Sequence, residues 1–470
     1  MVKTNLGVTL FGRMKKSLYT ICPVSTSHDV GLKRVLLAAN ESGCSLTQIA
    51  VTDLKAGEVA QAHIHPDMQE GFYVLEGDLD VKLDDETLHC TKDDFVYVKS
   101  LTSHELRAVT DVRIMTIGCV IESQRSKLYP LLFEPNLHEV VWGGNKLTAW
   151  KGLAAKDHIG ESWEVSCVES SPSVIANGTW TGYTLNEVIK KHPEAILGRE
   201  VSKRYGGELP LLVKFIDARK DLSIQVHPDD EMAKRLHDKN GKSEMWYVLD
   251  AEPGAYLYSG FKEELSAEDY KRKVADGTIV ESLAKHEVKA GDVFYLPAGR
   301  VHAICSGILL AEVQQSSDVT YRIFDYNRPG LDGKPRELHT ELAAEALNYQ
   351  VEKEYRTEYS AENNRATKVI ESPYFSVRVT EADGVFRRNL IKYDSFIIAM
   401  CLKGDCRIKI CSTGDEIVLK EGFSCLIPAA IADYEVIPEK GRTKLLETYI
   451  DNMDRSLIHK VSRFLHISEK

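Results

Sequence analysis

The 470-residue sequence lacks the features of membrane, secreted and nucleic-acid-binding proteins. No apolar run approaches the roughly 20 residues that are needed to span a bilayer. The basic N-terminus, MVKTNLGVTLFGRMKKSLYTICPV, has no continuous apolar core of the kind found in signal peptides. The net charge is −11 and is spread along the chain, which argues against nucleic acid as a partner. We therefore expect a cytoplasmic protein that binds neither membranes nor nucleic acid, and no feature predicts its oligomeric state.

The ten cysteines include no CxxC pair. Cys401, Cys406 and Cys411 are five residues apart, which is not a metal-ligand spacing. We therefore expect thiols in a reducing cytosol rather than a disulfide framework.

Short apolar stretches separated by Gly, Asp and Lys turns predict a mainly β chain. Three segments repeat one order of elements: a strand, a turn with Gly, a strand, then an acidic or glycine turn before a further strand. They are GFYVLEGDLDVKL…KDDFVYVKSLTSH, MWYVLDAEPGAYLY…AGDVFYLPAGRVH and FIIAMCLKGDCRIKI…KEGFSCLIPAAIAD. The economical interpretation is three tandem cupin (jelly-roll) β-barrels with a helical insertion in the central part.

We place the N-terminal barrel at residues 1–122, the catalytic barrel with its helical segments at 123–350, and the C-terminal barrel at 351–470. A possible linker, ESQRSKLYPLLFEPN, follows the first barrel. Three helices are predicted in the central part. They are YTLNEVIKKHPEAILGREV, capped by Thr184 with Glu187 three residues on, LSAEDYKRKVADG, capped by Ser266 and stopped at Gly277, and HTELAAEALNY.

The central segment carries the strongest chemical signal. Gln225 and His227 are two residues apart, which in a strand places both side chains on one face. Glu244 begins the next strand, and His302 ends GDVFYLPAGRVH, where two turns can point it back inward. Two imidazoles, a carboxylate and an amide oxygen suit Zn²⁺ and tolerate other first-row divalent ions. The sequence therefore predicts a metal site in the central barrel.

The first barrel contains the same pattern in fuller form, G-x5-HxH-x4-E-x6-G, which matches the first cupin motif. The predicted ligands of this second metal site are His63, His65, Glu70 and His104, although KSLTSH replaces the PxG turn before the last histidine. The third barrel has Asp433 where a histidine would stand, and we predict that it is metal-free.

At SIQVHPDD, GKSEMWYVL, LPAGRVHAI and EVQQSSDVTYRIFDYNR the sequence resembles the type I phosphomannose isomerases (mannose-6-phosphate isomerases), in their compact bacterial form. The resemblance covers roughly residues 130–460, so the first barrel is an addition. It implies two linked cupin barrels, one zinc-type ion and interconversion of mannose 6-phosphate and fructose 6-phosphate. It also implies that His227, Glu244 and His302 bind the metal, and Gln225 matches the fourth ligand of the longer relatives.

The resemblance further implies that Arg322 is a catalytic arginine and that Lys242 and Glu312 line the active site. Isomerisation moves a proton between C2 and C1 through an enediol, and Glu312, Lys242 and a water molecule at the metal are all candidates for the transfer. Lys242 instead could hold an oxygen or the phosphate, for which Lys214, Arg300 and Arg328 are further candidates. The alternative functions are a non-catalytic or regulatory sugar-binding cupin, and a separate activity in the first barrel.

Overall fold

The computed structural model describes residues 16–26, 30–38, 46–65, 68–120, 128–330 and 333–452. These residues form 31 strands and seven α-helices, so the chain is mainly β, as the sequence predicts. Parts of three predictions lie outside the described residues: the N-terminal stretch up to residue 15, the linker at 121–127, and the C-terminal barrel from 453 onwards.

The first sheet pair is formed by strands β1 to β10. Their bounds are β1 Val24–Ser25, β2 Leu32–Ala38, β3 Leu46–Leu54, β4 Val59–His63, β5 Met68–Glu76, β6 Leu79–Leu83, β7 Glu86–Cys90, β8 Phe95–Val98, β9 His104–Ala108 and β10 Val112–Val120. The six-stranded sheet has the order β1-β2-β3-β10-β5-β8, and the four-stranded sheet has the order β4-β9-β6-β7. In β10 every second residue is buried, because one face of the strand packs on the core that the two sheets share.

The middle sheet pair uses strands β12 to β22. The bounds from β11 onwards are β11 Leu131–Leu132, β12 Leu137–Gly144, β13 Ile159–Val165, β14 Leu211–Ala218, β15 Ile224–Val226, β16 Glu244–Ala251, β17 Tyr256–Phe261, β18 Leu283–Glu287, β19 Val293–Leu296, β20 His302–Ile304, β21 Ile308–Gln315 and β22 Tyr321–Phe324. Their sheets have the orders β12-β13-β14-β21-β16-β19 and β18-β17-β20-β15-β22. Every residue of β14 and β21 is buried, because these adjacent strands are covered on both faces.

The C-terminal sheet pair consists of β11 and β23 to β31. The remaining bounds are β23 Arg365–Glu371, β24 Ser376–Ala382, β25 Phe386–Asn389, β26 Ile397–Lys403, β27 Cys406–Ile410, β28 Glu416–Leu419, β29 Ser424–Ile427, β30 Asp433–Pro438 and β31 Thr443–Tyr449. The sheet orders are β11-β29-β26-β31-β24-β23 and β25-β30-β27-β28. Strand β11 therefore crosses from the central part of the sequence into this pair, and one large apolar core joins the two pairs.

The helices lie mainly in the central part. They are α1 Lys146–Trp150, α2 Leu185–Lys191, α3 Pro193–Leu197, α4 Arg199–Arg204, α5 Asp230–His237, α6 Ala267–Ala275 and α7 Thr340–Ala346. The predicted caps are confirmed: Thr184 and Glu187 form a capping box, and Ser266 accepts the backbone N–H of Asp269. The first predicted helix is three short ones, because Pro193 starts a new helix and Gly198, at φ +94°, separates the next.

The predicted barrel geometry is not confirmed. The described strands form six open sheets, none of which closes on itself, and the members of each pair meet through side-chain packing. None of the nine cysteines in the described ranges forms a disulfide. Every helix in the part of the chain that the structure covers is too short or too polar to cross a bilayer.

Candidate active site and a second ligand cluster

Three adjacent strands of the middle sheet pair place the central site residues side by side. Gln225 on β15 is directly opposite His302 on β20 and Arg322 on β22. Directly opposite residues of antiparallel strands point to the same face, with Cβ atoms about 5 Å apart. The register therefore brings His302, Gln225 and Arg322 into one row on one face of this sheet.

The PAGRVH turn delivers His302 to this row. Gly299 has φ +87°, and a Cβ there would lie 2.9 Å from the carbonyl oxygen of Ala346, so the turn requires glycine. The Gly299 N–H donates to the carbonyl oxygen of His227 over 2.9 Å. One hydrogen bond thus ties the turn before His302 to the backbone of the other histidine.

His227, Glu244 and His302 form a compact ligand set. Their ligand atoms all lie within 4.8 Å of one another, and each side chain is about 1% exposed. Nε2 of His302 is 3.2 Å from Glu244 Oε1, and Nε2 of His227 is 3.5 Å from Glu244 Oε2. Nδ1 of His302 lies 2.8 Å from the backbone carbonyl oxygen of Arg300, and Nδ1 of His227 lies 2.9 Å from that of Val319. Each carbonyl oxygen can accept a hydrogen bond from the Nδ1–H of its histidine. The Nε2 lone pairs of both imidazoles are then directed at the centre of the ligand set.

The protonation states of these side chains favour the binding of a cation. Burial lowers the pKa of His302 to about 3, and burial together with Lys242 lowers the pKa of His227 well below its usual range. Both imidazoles are therefore neutral, which is the form that binds metal. Burial, with Glu312 nearby, raises the pKa of Glu244, and its buried Oε1 has no hydrogen-bond partner. An orphaned carboxylate oxygen beside two neutral imidazoles fits a divalent ion.

Lys242 contacts two members of the ligand set. Its Nζ donates to Glu244 Oε2 over 2.8 Å and lies 3.0 Å from His227 Nε2. The residue is 5% exposed, so it is not a solvated turn residue. Gln225, the fourth predicted ligand, has its amide nitrogen 3.3 Å from His302 Nε2, and its role as a ligand through the amide oxygen stays a prediction.

A second row of polar side chains lies on the facing sheet. Lys214 on β14, Glu312 on β21 and Trp246 on β16 are consecutive partners in the register. Trp246 Nε1 donates to Glu312 Oε2 over 2.9 Å. Lys214 Nζ is 3.4 Å from Glu312 and 3.4 Å from Glu161. Burial acts to lower the pKa of Lys214, but the two carboxylates outweigh burial and raise it.

Sequence reasoning missed Trp246 and Glu161 and offered Lys214 only as a phosphate candidate. Alternation within strands is the signal that could have found them, because Trp246 follows Glu244 by two residues. Of the other phosphate candidates, Arg328 is paired with Asp325 over 2.9 Å, and Arg300 donates to the carbonyl oxygen of Tyr295.

Arg322 has a guanidinium N–H that can still donate a hydrogen bond to a ligand. Its Nη1 donates to the carbonyl oxygen of Glu337 over 3.0 Å, whereas its buried Nε has no hydrogen-bond partner. Within the described ranges, no carboxylate lies within 4.0 Å of its guanidinium nitrogens, since the nearby Asp325 pairs with Arg328 and Arg336. A half-buried cation with an unsatisfied N–H is suited to an anionic oxygen.

Comparison with known proteins fits this geometry. Residues 131–254 match the family model "Phosphomannose isomerase type I, catalytic domain", and residues 365–450 match "Mannose-6-phosphate isomerase, cupin domain". The chain is 36% identical over 313 residues to the probable mannose-6-phosphate isomerase GmuF of Bacillus subtilis, covering 66% of this chain and 96% of that protein. It belongs to the type I phosphomannose isomerase family.

Further relatives agree with this assignment. The mannose-6-phosphate isomerase of Streptococcus mutans is 33% identical, over 65% of this chain and 94% of its own length. The crystal structure of the Bacillus subtilis mannose 6-phosphate isomerase superposes with a TM-score of 0.62 at 31% identity, covering 68% of this chain and 99% of that one. Most of the first sheet pair is matched separately, by a cupin domain model over residues 50–120. This phosphomannose isomerase family member thus carries an additional cupin domain.

The four predicted residues of that additional domain come together. The ligand atoms of His63, His65, Glu70 and His104 lie within 4.8 Å of one another. Glu70 Oε2 is 3.2 Å from Nε2 of both His65 and His104. Burial acts to raise the pKa of Glu70, but the two imidazoles outweigh burial and hold the pKa well below its usual value.

The missing PxG turn is replaced by a left-handed leucine. Leu101 has φ +66°, and its N–H donates to the carbonyl oxygen of His65 over 3.0 Å. It stands three residues before His104, as Gly299 stands three residues before His302. In the C-terminal sheet pair Asp433 pairs with Arg387 over 2.6 Å, and the described residues of that pair hold no third ligand cluster.

Proposed function

We propose that this chain interconverts mannose 6-phosphate and fructose 6-phosphate as a metal-dependent aldose–ketose isomerase. The relatives that it covers almost fully carry this activity in their names. The single observation that carries the proposal is the buried set of His227, Glu244 and His302 with an orphaned carboxylate oxygen, in which His302 shares its sheet with Arg322. A second His/Glu group without these neighbours lies in the first sheet pair, so the position of Arg322 beside the central set favours catalysis over binding alone.

We propose that His227, Glu244 and His302 hold one divalent ion, with Gln225 as the fourth ligand and zinc as the native metal. The two neutral imidazoles and the carboxylate form a borderline N/O set that suits Zn²⁺. When bound, this ion supplies Lewis-acid stabilisation of negative charge on the substrate oxygens. The backbone carbonyls at the two Nδ1 atoms fix the orientation of the imidazoles.

Arg322 is proposed to hold a substrate oxygen on which negative charge develops. Its position beside Gln225 puts it on the face of the ligand set, and its Nε has a free donor. The guanidinium stays protonated at any working pH, even though burial lowers its pKa. It therefore supplies fixed positive charge throughout the reaction.

Glu312 is proposed to move the proton between C2 and C1 through the enediol. Trp246 fixes its Oε2, and its Oε1 is buried without a hydrogen-bond partner, 3.4 Å from Lys214 Nζ, so an ammonium group stands beside the oxygen that would carry the proton. Lys242 is less suited to this step, because its ammonium already binds Glu244. We assign Lys242 to holding the charge of the ligand set and of substrate oxygen.

The domain assignment remains part of the proposal. We propose an N-terminal cupin at residues 1–122, a catalytic cupin with helical segments at 123–350 and a metal-free cupin at 351–470. The repeated pairing of a six-stranded sheet with a smaller one supports this three-fold division. We also propose a second divalent ion at His63, His65, Glu70 and His104, without a part in isomerisation.

The test is a coupled isomerase assay on mannose 6-phosphate after treatment with a chelator. The proposal predicts loss of activity and its return with Zn²⁺. Full activity in protein shown to be metal-free would contradict the proposal. Sugar-phosphate binding without turnover under several metals would favour the non-catalytic alternative.

A further inference from the structure

The first sheet pair contains a cavity of about 110 Å³ between its two sheets. His63, His65 and Glu70 of the second ligand cluster line one side of the cavity. The rest of the wall is mostly apolar. It includes Val30, Leu54, Phe72, Leu106 and Ile114.

A lysine stands in this wall without an acidic partner. Lys33 donates from Nζ to the amide oxygen of Gln48 over 3.2 Å, and both residues line the cavity. Within the part of the chain that the structure describes, no carboxylate lies within ion-pair distance of its Nζ. A partly buried ammonium that is satisfied only by a neutral amide gains more from an anion than an exposed lysine does.

We propose that this cavity binds a small carboxylic acid with a short apolar body. The carboxylate lies between Lys33 and a divalent ion held by the second ligand cluster, and the body packs against Leu54, Phe72 and Ile114. The inference rests on a metal at that cluster and is independent of the isomerase activity.

A second cavity of about 270 Å³ shares Gln48, His65 and Met68 with the first one, so these side chains separate the two spaces. Its opposite wall comes from the C-terminal sheet pair and includes Arg387 and Asp433. The bidentate ion pair of Arg387 with Asp433 leaves little net charge on this wall. The wall of this second cavity on the side of the C-terminal sheet pair therefore presents no uncompensated charge to a small acid.

The test is a titration of the full-length, Co²⁺-loaded protein with butanoate, followed by visible absorption and calorimetry. The variants are Lys33→Met, His104→Ala and, as a matched control, Lys82→Met, an exposed lysine of the same sheet pair. We expect butanoate to change the Co²⁺ spectrum of the parent protein and of Lys82→Met. In Lys33→Met, binding should weaken by about tenfold, the worth of a charge-assisted contact. In His104→Ala, the spectral response should be lost.

Four outcomes would overturn the inference. They are a response that survives His104→Ala, unchanged affinity in Lys33→Met, equally tight binding of the neutral analogue butanol, and tighter binding of inorganic phosphate than of butanoate. Isomerase activity is measured on the same samples. It should stay at the parental level in Lys33→Met and Lys82→Met, so failure of this inference can be told apart from failure of the proposed function.

Discussion

The two ligand clusters share a backbone plan and differ in the side chains around it. In both, the candidate ligands are one or two histidines at or just after the end of a short strand, a glutamate near the start of the next long strand, and a histidine three residues after a left-handed turn residue. In both, the N–H of that turn residue, Gly299 or Leu101, donates to the carbonyl oxygen of a ligand histidine. This shared backbone arrangement can therefore form a metal site, but it does not determine the function of that site.

The difference can be traced residue by residue through the strand registers. Glu312 is directly opposite both Lys214 and Trp246. In the first sheet pair the corresponding residue is Thr116, opposite Ala50 and Phe72. The charged second row of the central site is thus replaced by an uncharged one.

Two further features separate the clusters. Lys242 stands two residues before the ligand Glu244, whereas Met68 holds that position before Glu70. Strand β15 is flanked by β22, which carries Arg322, whereas β4 is the edge strand of its described sheet. We therefore assign the isomerase chemistry to the ligand set together with the charged residues and strand β22, which have no counterpart in the first sheet pair.

The largest expected effect separates the clusters directly. His302→Ala should lower isomerase activity by about 10³-fold, because a catalytic metal contributes several kcal/mol to charge stabilisation. His104→Ala, its counterpart in the first sheet pair, should keep parental activity. The coupled assay on mannose 6-phosphate measures both, and equal losses in the two variants would break the comparison.

Glu312 and Glu161 offer a matched pair, since both carboxylates lie 3.4 Å from Lys214 Nζ. Glu312→Gln should reduce kcat by about 10²-fold, the lower range for loss of a general acid–base group. Glu161→Gln should cost far less, because this carboxylate is not opposite Trp246. Rate measurements at saturating substrate test this, and a larger loss in Glu161→Gln would reverse the assignment.

Arg322→Lys should reduce kcat/KM by about tenfold, because the charge is kept while the planar fork of donors is lost. The zinc content should not change, since Arg322 is not a ligand. Arg235→Lys, an exposed arginine that pairs with Glu345, is the control and should have parental activity. A variant that loses zinc together with activity would instead give Arg322 a structural role.

The turn residues should give the smallest effects, on stability. Gly299→Ala should destabilise the protein by about 2 kcal/mol, because the new Cβ would be strained at positive φ and would press on Ala346. Leu101→Gly should change stability by less than about 1 kcal/mol, because relief of backbone strain offsets the entropy that glycine loses. The midpoints of urea unfolding test both variants, and a destabilising Leu101→Gly would show that packing of this leucine outweighs its strain.

The sequence predicts which His and Glu side chains come together, but it predicts their surroundings poorly. The HxH spacing, Glu244 and the turn before His302 depend on local geometry, so they can be recognised from the sequence without knowledge of the tertiary structure. The rows around Glu312 and Arg322 depend on strand register, which the chain alone does not reveal; Arg322 was found only through family resemblance. The left-handed Leu101 is unexpected because leucine rarely adopts positive φ. Barrel closure was predicted from repeated strands, but repetition does not determine whether sheet edges join.

Zinc titration of metal-free His104→Ala protein tests the central claim most directly, since only one ligand cluster then remains intact. The account predicts that isomerase activity rises with zinc and reaches the parental level at one bound ion per chain. Full activity before zinc is added, or activity restored by zinc in His302→Ala, would contradict it.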